Sequence, residues 1–309
     1  MIKNIRKIDT NYIIVFIFAI ITFFMMINRI PWHDEANAWM IAKSFSFFEL
    51  FKIERFDGHL FIWHTLLMPF AKANFFYPYS LLLLNWVFCI AAIVVLCFKS
   101  PFSYLEKFLI TFSFPFVCYF SNVARCYSIG IFLLFIILSL WYKRLEASKQ
   151  ISFLLFLLSN TSVMAAFGGI CLYWILLYDL YKSKRNIIFP FFIFIFYIIL
   201  ILIQLYGAVN PIPNEVFQFC IKIKNFLLID NLLLINLVNA MIVISSIPAI
   251  ICSIILFVKN RNTQSLFILI VTYSGMILLF SIGYTGQYWH YFFFYIYLIV
   301  SVWIFRITN

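Results

Sequence analysis

Apolar residues run along this chain in blocks of about 18 or more, separated by short polar clusters. A helix rising 1.5 Å per residue needs about 20 apolar residues to cross a bilayer's hydrocarbon. The blocks predict about ten spans, roughly 11–30, 80–98, 104–121, 127–142, 151–165, 166–181, 187–207, 233–258, 264–282 and 288–305. Those at 151–181 are short for a crossing and predict a tilted hairpin, a mismatch that bilayer thinning or burial in the bundle absorbs. The stretch 31–79 has a different pattern. Over 35–51, Ala38, Trp39, Ile41, Ala42, Phe45, Phe48 and Leu50 recur near helical spacing, which predicts a helix lying in the interface plane. Phe56-Asp57-Gly58-His59 supplies a turn. Leu60–Phe70 is apolar but too short to span, so it predicts a re-entrant or surface helix.

Composition makes the membrane reading unavoidable. The chain is 65% hydrophobic and 11% charged, with 41 Phe, a surface no soluble protein could cover. No polar segment is long enough for a soluble domain, so 1–309 reads as a single all-α, polytopic membrane domain with interfacial helices in its first external loop. The net charge of +11 does not point to nucleic acid, because the positive residues fall in small clusters between spans. With both termini in the cytoplasm, 14 of the 22 basic residues lie inside and seven of the 11 acids outside, the bias expected of a multi-pass protein of a bacterial cytoplasmic membrane. Lys3, Arg6 and Lys7 precede the first block as in a secretory signal, but no small-residue cleavage site follows, so a retained helix is expected. The seven cysteines lie mostly within predicted spans without metal-ligand spacing and read as small hydrophobes.

Against this background, Trp32-His33-Asp34-Glu35-Ala36-Asn37-Ala38-Trp39 is a polar island directly after the first span. Ionisable groups at membrane depth are expensive and tend to be functional. Asp34 and Glu35 are therefore candidate catalytic carboxylates. The same pair would also suit a helix N-terminus, and a capping carboxylate can still serve as a base. Arg125, in Ser121-Asn122-Val123-Ala124-Arg125-Cys126-Tyr127-Ser128, interrupts two apolar blocks on the same side. It predicts either an ion pair with an acid of the first loop or a phosphate clamp, for which a guanidinium fork is well shaped. His59, beside Asp57 at the loop's far end, is a further candidate, whereas His64 reads as structural. His290, in Gly286-Gln287-Tyr288-Trp289-His290-Tyr291, is a candidate ligand contact among residues that otherwise form an aromatic belt. His33, Asp34 and His59 lack any metal-site spacing signature, so no metal ligands are assigned.

Taken in order, these pieces resemble the GT-C superfamily of integral-membrane glycosyltransferases, which use polyprenyl-phosphate-linked sugars. The resemblance rests on the acidic pair after the first span (Asp34, Glu35), the Gly58-His59-Leu60 lead into a short apolar helix, and Ala124-Arg125-Cys126-Tyr127-Ser128 opening a later span; it covers about the first 145 residues. It implies an inverting transfer on the outer membrane face, with Asp34 as general base towards an acceptor hydroxyl or amine and Glu35 orienting the acceptor or the loop. Arg125, helped by Lys72, Arg55 or His59, would neutralise the leaving phosphate, with Tyr127 and His290 as further substrate contacts. The implied partners are a polyprenyl-phosphate-linked sugar donor, a glycan, lipid or protein acceptor, and membrane lipids. No cofactor is required, and assistance by a divalent metal ion stays open. The family's usual His-Pro-Pro-Leu is His59-Leu60-Phe61-Ile62 here, and Gln287 and His290 stand where many members carry an arginine.

Two other classes fit a polytopic chain. A transporter or flippase for a lipid-linked glycan would need polar residues near mid-span, where Asn85, Gln204, Asn236 and Asn239 are the main examples. A non-catalytic subunit of a membrane assembly would keep the fold and be indifferent to loss of Asp34.

Overall fold

A computed structural model describes residues 9–51, 60–205, 248–282 and 288–309, which are helical and contain no β-sheet. In chain order the principal helices are α1 (Thr10–Ile27), α2 (His33–Ser44), α3 (Ile62–Lys72), α4 (Tyr79–Lys99), α5 (Tyr104–Thr111), α6 (Tyr127–Leu140), α7 (Ser148–Ser159), α8 (Val163–Lys182), α9 (Ile188–Leu205), α10 (Pro248–Lys259), α11 (Thr263–Ile282) and α12 (Tyr288–Thr308). Among the described residues, five helices are long and apolar enough to cross a membrane: α1, α4, α8, α11 and α12. Their outer faces suit lipid rather than water, with Phe16, Phe192, Leu202, Ile255 and Leu278 all well exposed.

Local chemistry sets the ends of these helices. The Asp9 carboxylate accepts from the Asn11 N–H at 3.0 Å and starts α1. At the head of α5, the Ser103 N–H donates to Glu106 Oε2 at 2.8 Å while Ser103 Oγ accepts from the Glu106 N–H, a reciprocal capping box. Beyond α5 the chain continues as a π-helical turn, Pro115–Phe120, which delivers the polar loop 121–126.

Helices α1 and α4 run antiparallel. The Tyr12 ring meets Phe98, Phe23 meets Trp86, and Trp86 Nε1–H donates to Thr22 Oγ1 at 3.0 Å. This brings Asp9 and the end of α4 together at one end of the bundle. A train of polar contacts continues there through Tyr104 to Asp9, Arg306 to Glu106 (2.5 Å), Asn262 to Thr308 (2.8 Å), Gln264 to Asp179 (3.0 Å) and Arg144 to Asp179 (2.7 Å). The last residues of α1 lead to the opposite end, where loop 121–126 and the start of α12 also lie.

A buried polar turn joins α7 to α8. Helix α7 has only 12 residues, and Asn160, Thr161 and Ser162 after it are almost wholly buried. Gln204 closes the turn: its Nε2 donates to Asn160 Oδ1 at 3.0 Å and its Oε1 accepts from the Phe61 N–H at 3.2 Å. Gln204 thereby satisfies a backbone donor at the head of α3, which would otherwise stay unpaired in an apolar surrounding.

Candidate functional site

The first-loop sequence folds into α2 and α3, which pack on each other. Helix α2 starts at His33, so Asp34 and Glu35 fall in its first turn, where partly positive N–H groups favour carboxylates. Successive helical residues point about 100° apart. One carboxylate therefore faces out and the other faces in. The Asp34 side chain is 56% exposed, whereas Glu35 is completely buried.

Glu35 Oε2 accepts from the Trp32 N–H at 2.6 Å, which caps α2. Its Oε1 accepts from the Arg29 guanidinium and from the Ala124 backbone N–H. Glu35 therefore bridges the end of α1, the start of α2 and the loop before α6. Asp34 Oδ2 meets Arg125 Nη1 at 2.8 Å, and the exposed His33 ring stands 3.7 Å from Asp34 Oδ1. Trp32, Asp34, Glu35, Tyr119, Val123, Arg125 and Tyr127 line a small cleft.

The loop that carries Arg125 is held from below. Asn85, fully buried in α4, donates through Nδ2 to the carbonyls of Phe120 (3.0 Å) and Ser121 (3.3 Å). Ser128 Oγ–H donates to the Phe120 carbonyl at 2.5 Å, and Asn122 Nδ2 donates to the Val117 carbonyl at 2.8 Å. These bonds satisfy carbonyls that the π-helical turn leaves open. On the far wall, Tyr127 Oη and His290 Nε2 are 3.0 Å apart, both residues being 3% exposed. His290 thus meets the cleft through Tyr127.

An apolar groove of about 500 Å³ opens beside α1, α3 and α4, lined by Phe23, Met26, Phe70, Phe76, Tyr79 and Leu83 among others. Between the lining residues Phe76 and Tyr79, Tyr77 packs its ring 5.2 Å from Trp39 of α2, and its hydroxyl pKa is raised first by burial and second by the negative charge of Glu35. The segment 75–79, which contributes Phe75, Phe76 and Tyr79 to the groove, thus touches the acid-bearing helix through Tyr77.

Of the residues singled out in sequence, Asp34, Glu35, Arg125, Tyr127 and His290 come together. Lys72 does not join them; it is exposed in the last turn of α3 and does not line the cleft. Arg55, His59, Asp57 and Gln287 lie outside the described residues. Among the described residues, no group of three or more His, Cys, Asp or Glu side chains is placed to hold a metal ion. Arg29 and Tyr119 were not anticipated. Arg29 carried a signal, as a cation at the mouth of the first span six residues before Glu35, whereas Tyr119 looked like any other aromatic of an apolar block. Comparison with protein families, curated proteins and solved structures finds no match to this chain.

Proposed function

We propose that the protein is a GT-C-like membrane glycosyltransferase that moves a sugar from a polyprenyl-phosphate-linked donor to a glycan, lipid or protein acceptor. The observation that carries this reading is the Asp34–Arg125 pair: a half-exposed carboxylate against an almost buried guanidinium in a polar cleft, in a protein that also carries an apolar groove beside α1, α3 and α4. The donor has the matching parts, a hydrocarbon tail for the groove and an anionic phosphate for Arg125.

In this reading the donor phosphate takes over the guanidinium, and Asp34 turns to the acceptor. Asp34 removes the proton from the acceptor hydroxyl or amine as that atom bonds to the anomeric carbon. The bond from anomeric carbon to phosphate oxygen breaks, and its electron pair leaves on the lipid phosphate, whose charge Arg125 neutralises. Attack opposite the leaving group inverts the anomeric centre. Tyr127, its hydroxyl held by His290, forms part of the cleft wall. The same reading takes the chain as a ten-span protein of a bacterial cytoplasmic membrane with both termini inside, α2 and α3 at the outer surface, and the cleft facing outward. The contact train from Asp9 to Arg144 then belongs to the cytoplasmic end, in keeping with the positive-inside bias.

Among the described residues, the transporter alternative draws no support from the mid-span polar side chains. Asn85 is occupied by loop carbonyls and Gln204 by Asn160 and Phe61, while Asn236 and Asn239 lie outside the described residues. The deciding experiment supplies purified protein in liposomes with radiolabelled sugars on undecaprenyl phosphate and a panel of acceptors. Release of free undecaprenyl phosphate with label on the acceptor is expected. Movement of intact donor between leaflets without bond cleavage would replace this reading with the flippase one.

A further inference from the structure

We propose that Glu35 and Arg29 form a latch that positions Arg125 against Asp34, and that neither residue touches the substrate. The proposal rests on the glycosyltransferase reading of the cleft and changes the role of one of its two carboxylates. Adjacent acids invite a shared task, but the structure separates them. Both oxygens of Glu35 are occupied, one by Arg29 and the Ala124 N–H and the other by the Trp32 N–H. With the residue fully buried, no oxygen is left open for an acceptor hydroxyl to approach.

What Glu35 does hold is informative. Ala124 is the chain neighbour of Arg125, and Glu35 is the chain neighbour of Asp34. A single carboxylate therefore fastens together two backbones whose next side chains form the 2.8 Å ion pair. Nothing covalent links these backbones for about 90 residues, and an interhelical contact of this kind sets the spacing of the reacting groups. Arg29 makes the arrangement tolerable. A buried carboxylate without a cationic partner is strongly disfavoured, and the guanidinium supplies that charge from the end of α1, itself only 17% exposed. The second attachment of loop 121–126, through Asn85 to the carbonyls of Phe120 and Ser121, fixes the loop's first half. The latch fixes the half that carries Arg125. Misplacing a reacting group by about 1 Å costs on the order of a hundredfold in rate.

The test uses the full chain in nanodiscs, with Glu35→Gln, Arg29→Gln and the double variant. Hydrogen–deuterium exchange is followed over 121–127 and over α8 as an internal reference. In parallel, transfer from an undecaprenyl-phosphate-linked sugar is measured as a function of pH. Each single variant is expected to speed exchange across 121–127 by about tenfold or more while α8 is unchanged. Each should lower kcat by about tenfold to a hundredfold. The double variant should lose little beyond either single one, because both changes open the same contact. The acid limb of the pH profile should stay in place, because Glu35 transfers no proton.

Unaltered exchange at 121–127, additive losses in the double variant, or a displaced acid limb would each overturn the latch; the last would make Glu35 a proton-transferring group. If Glu35→Gln does not yield folded protein, Arg29→Gln serves alone, removing the charge that the buried carboxylate relies on; unchanged exchange and rate in that variant count against the latch. A wild-type protein that transfers no sugar removes the enzymatic reading on its own, and the exchange measurement still decides whether the latch exists.

Discussion

Both ends of the helical bundle are built around arginine–carboxylate pairs, and the pairs differ in what surrounds them. At the end near the chain termini, Arg144 pairs with Asp179 while Gln264 donates to the same carboxylate, and Arg306 grips Glu106 with both guanidinium nitrogens. These contacts join helix to helix: the segment after α6 to α8 and α11, and α5 to α12. At the other end, the buried Arg29–Glu35 pair also joins elements, but Arg125 meets an acid that is more than half exposed and lines a cleft. The chemistry of the partners is the same at both ends. Access separates Asp34 from Asp179: the largely enclosed Arg144–Asp179 pair serves as a clamp, while a pair with one open face can exchange its acid for another anion. Arg306–Glu106 is itself about one-third exposed, and what sets it apart is that neither residue lines the cleft that holds Asp34 and Arg125.

The comparison breaks most sharply at Asp34. Asp34→Asn should lower sugar transfer by about a hundredfold to ten-thousandfold with the protein still folded, as judged by gel filtration and thermal midpoint. No substitution of Asp179 or Glu106 should give that split between rate and fold. The next test sets the two kinds of arginine against each other. Arg125→Ala should weaken binding of undecaprenyl phosphate by about tenfold to a hundredfold, the worth of hydrogen bonds to a charged group. Arg144→Ala should leave that affinity unchanged and cost about 1–3 kcal/mol of stability, because Asp179 keeps only Gln264. Equal effects of the two on lipid-phosphate affinity would erase the distinction drawn here.

A smaller effect sharpens the same contrast from inside the bundle. Asn85→Leu removes the donor to two loop carbonyls and should cost about 1–2 kcal/mol, with a severalfold loss of lipid-phosphate affinity transmitted through loop 121–126. The smallest expected effect concerns pH. Arg306 beside Glu106 lowers its carboxyl pKa from about 4.5 to about 2, helped by Ser103 and opposed by partial burial. A depressed acid contributes stability above its ordinary pKa and loses it as pH falls through the folded value. The difference in thermal midpoint between wild type and Glu106→Gln should therefore be fully present above about pH 5 and vanish as pH falls to about 2. Because Glu106 is about one-third exposed, solvent screening keeps the difference modest.

Some of this arrangement is legible in the sequence and some is not, for identifiable reasons. The helices follow from long apolar blocks. Asp34 and Arg125 stand out because ions are rare in this chain and each needs a partner. The division of labour between Asp34 and Glu35 escapes a linear reading, because both face the same neighbours in sequence and only the start of α2 at His33 decides which turns inward. Arg29 is visible as a cation just after the first apolar block, but nothing in its local sequence ties it to Glu35. Gln204 looked like a mid-span polar residue of transporter type; its partners, Asn160 and Phe61, are 44 and 143 residues away, so no local pattern could assign them. Tyr127 and His290 were singled out separately, and their contact across 163 residues is likewise a product of the fold.

The twelve-residue length of α7 has a consequence for how the protein is made. At 1.5 Å per residue it reaches about 18 Å, well short of a bilayer's hydrocarbon thickness. It cannot be threaded into lipid as an independent stop. Paired with α8 as a hairpin, its apex gains the Gln204 contact to Asn160 only after 44 further residues have been made. A chain truncated before Gln204 leaves Asn160 and the Phe61 N–H without this partner, and is expected to be degraded faster in a pulse-chase than the full chain.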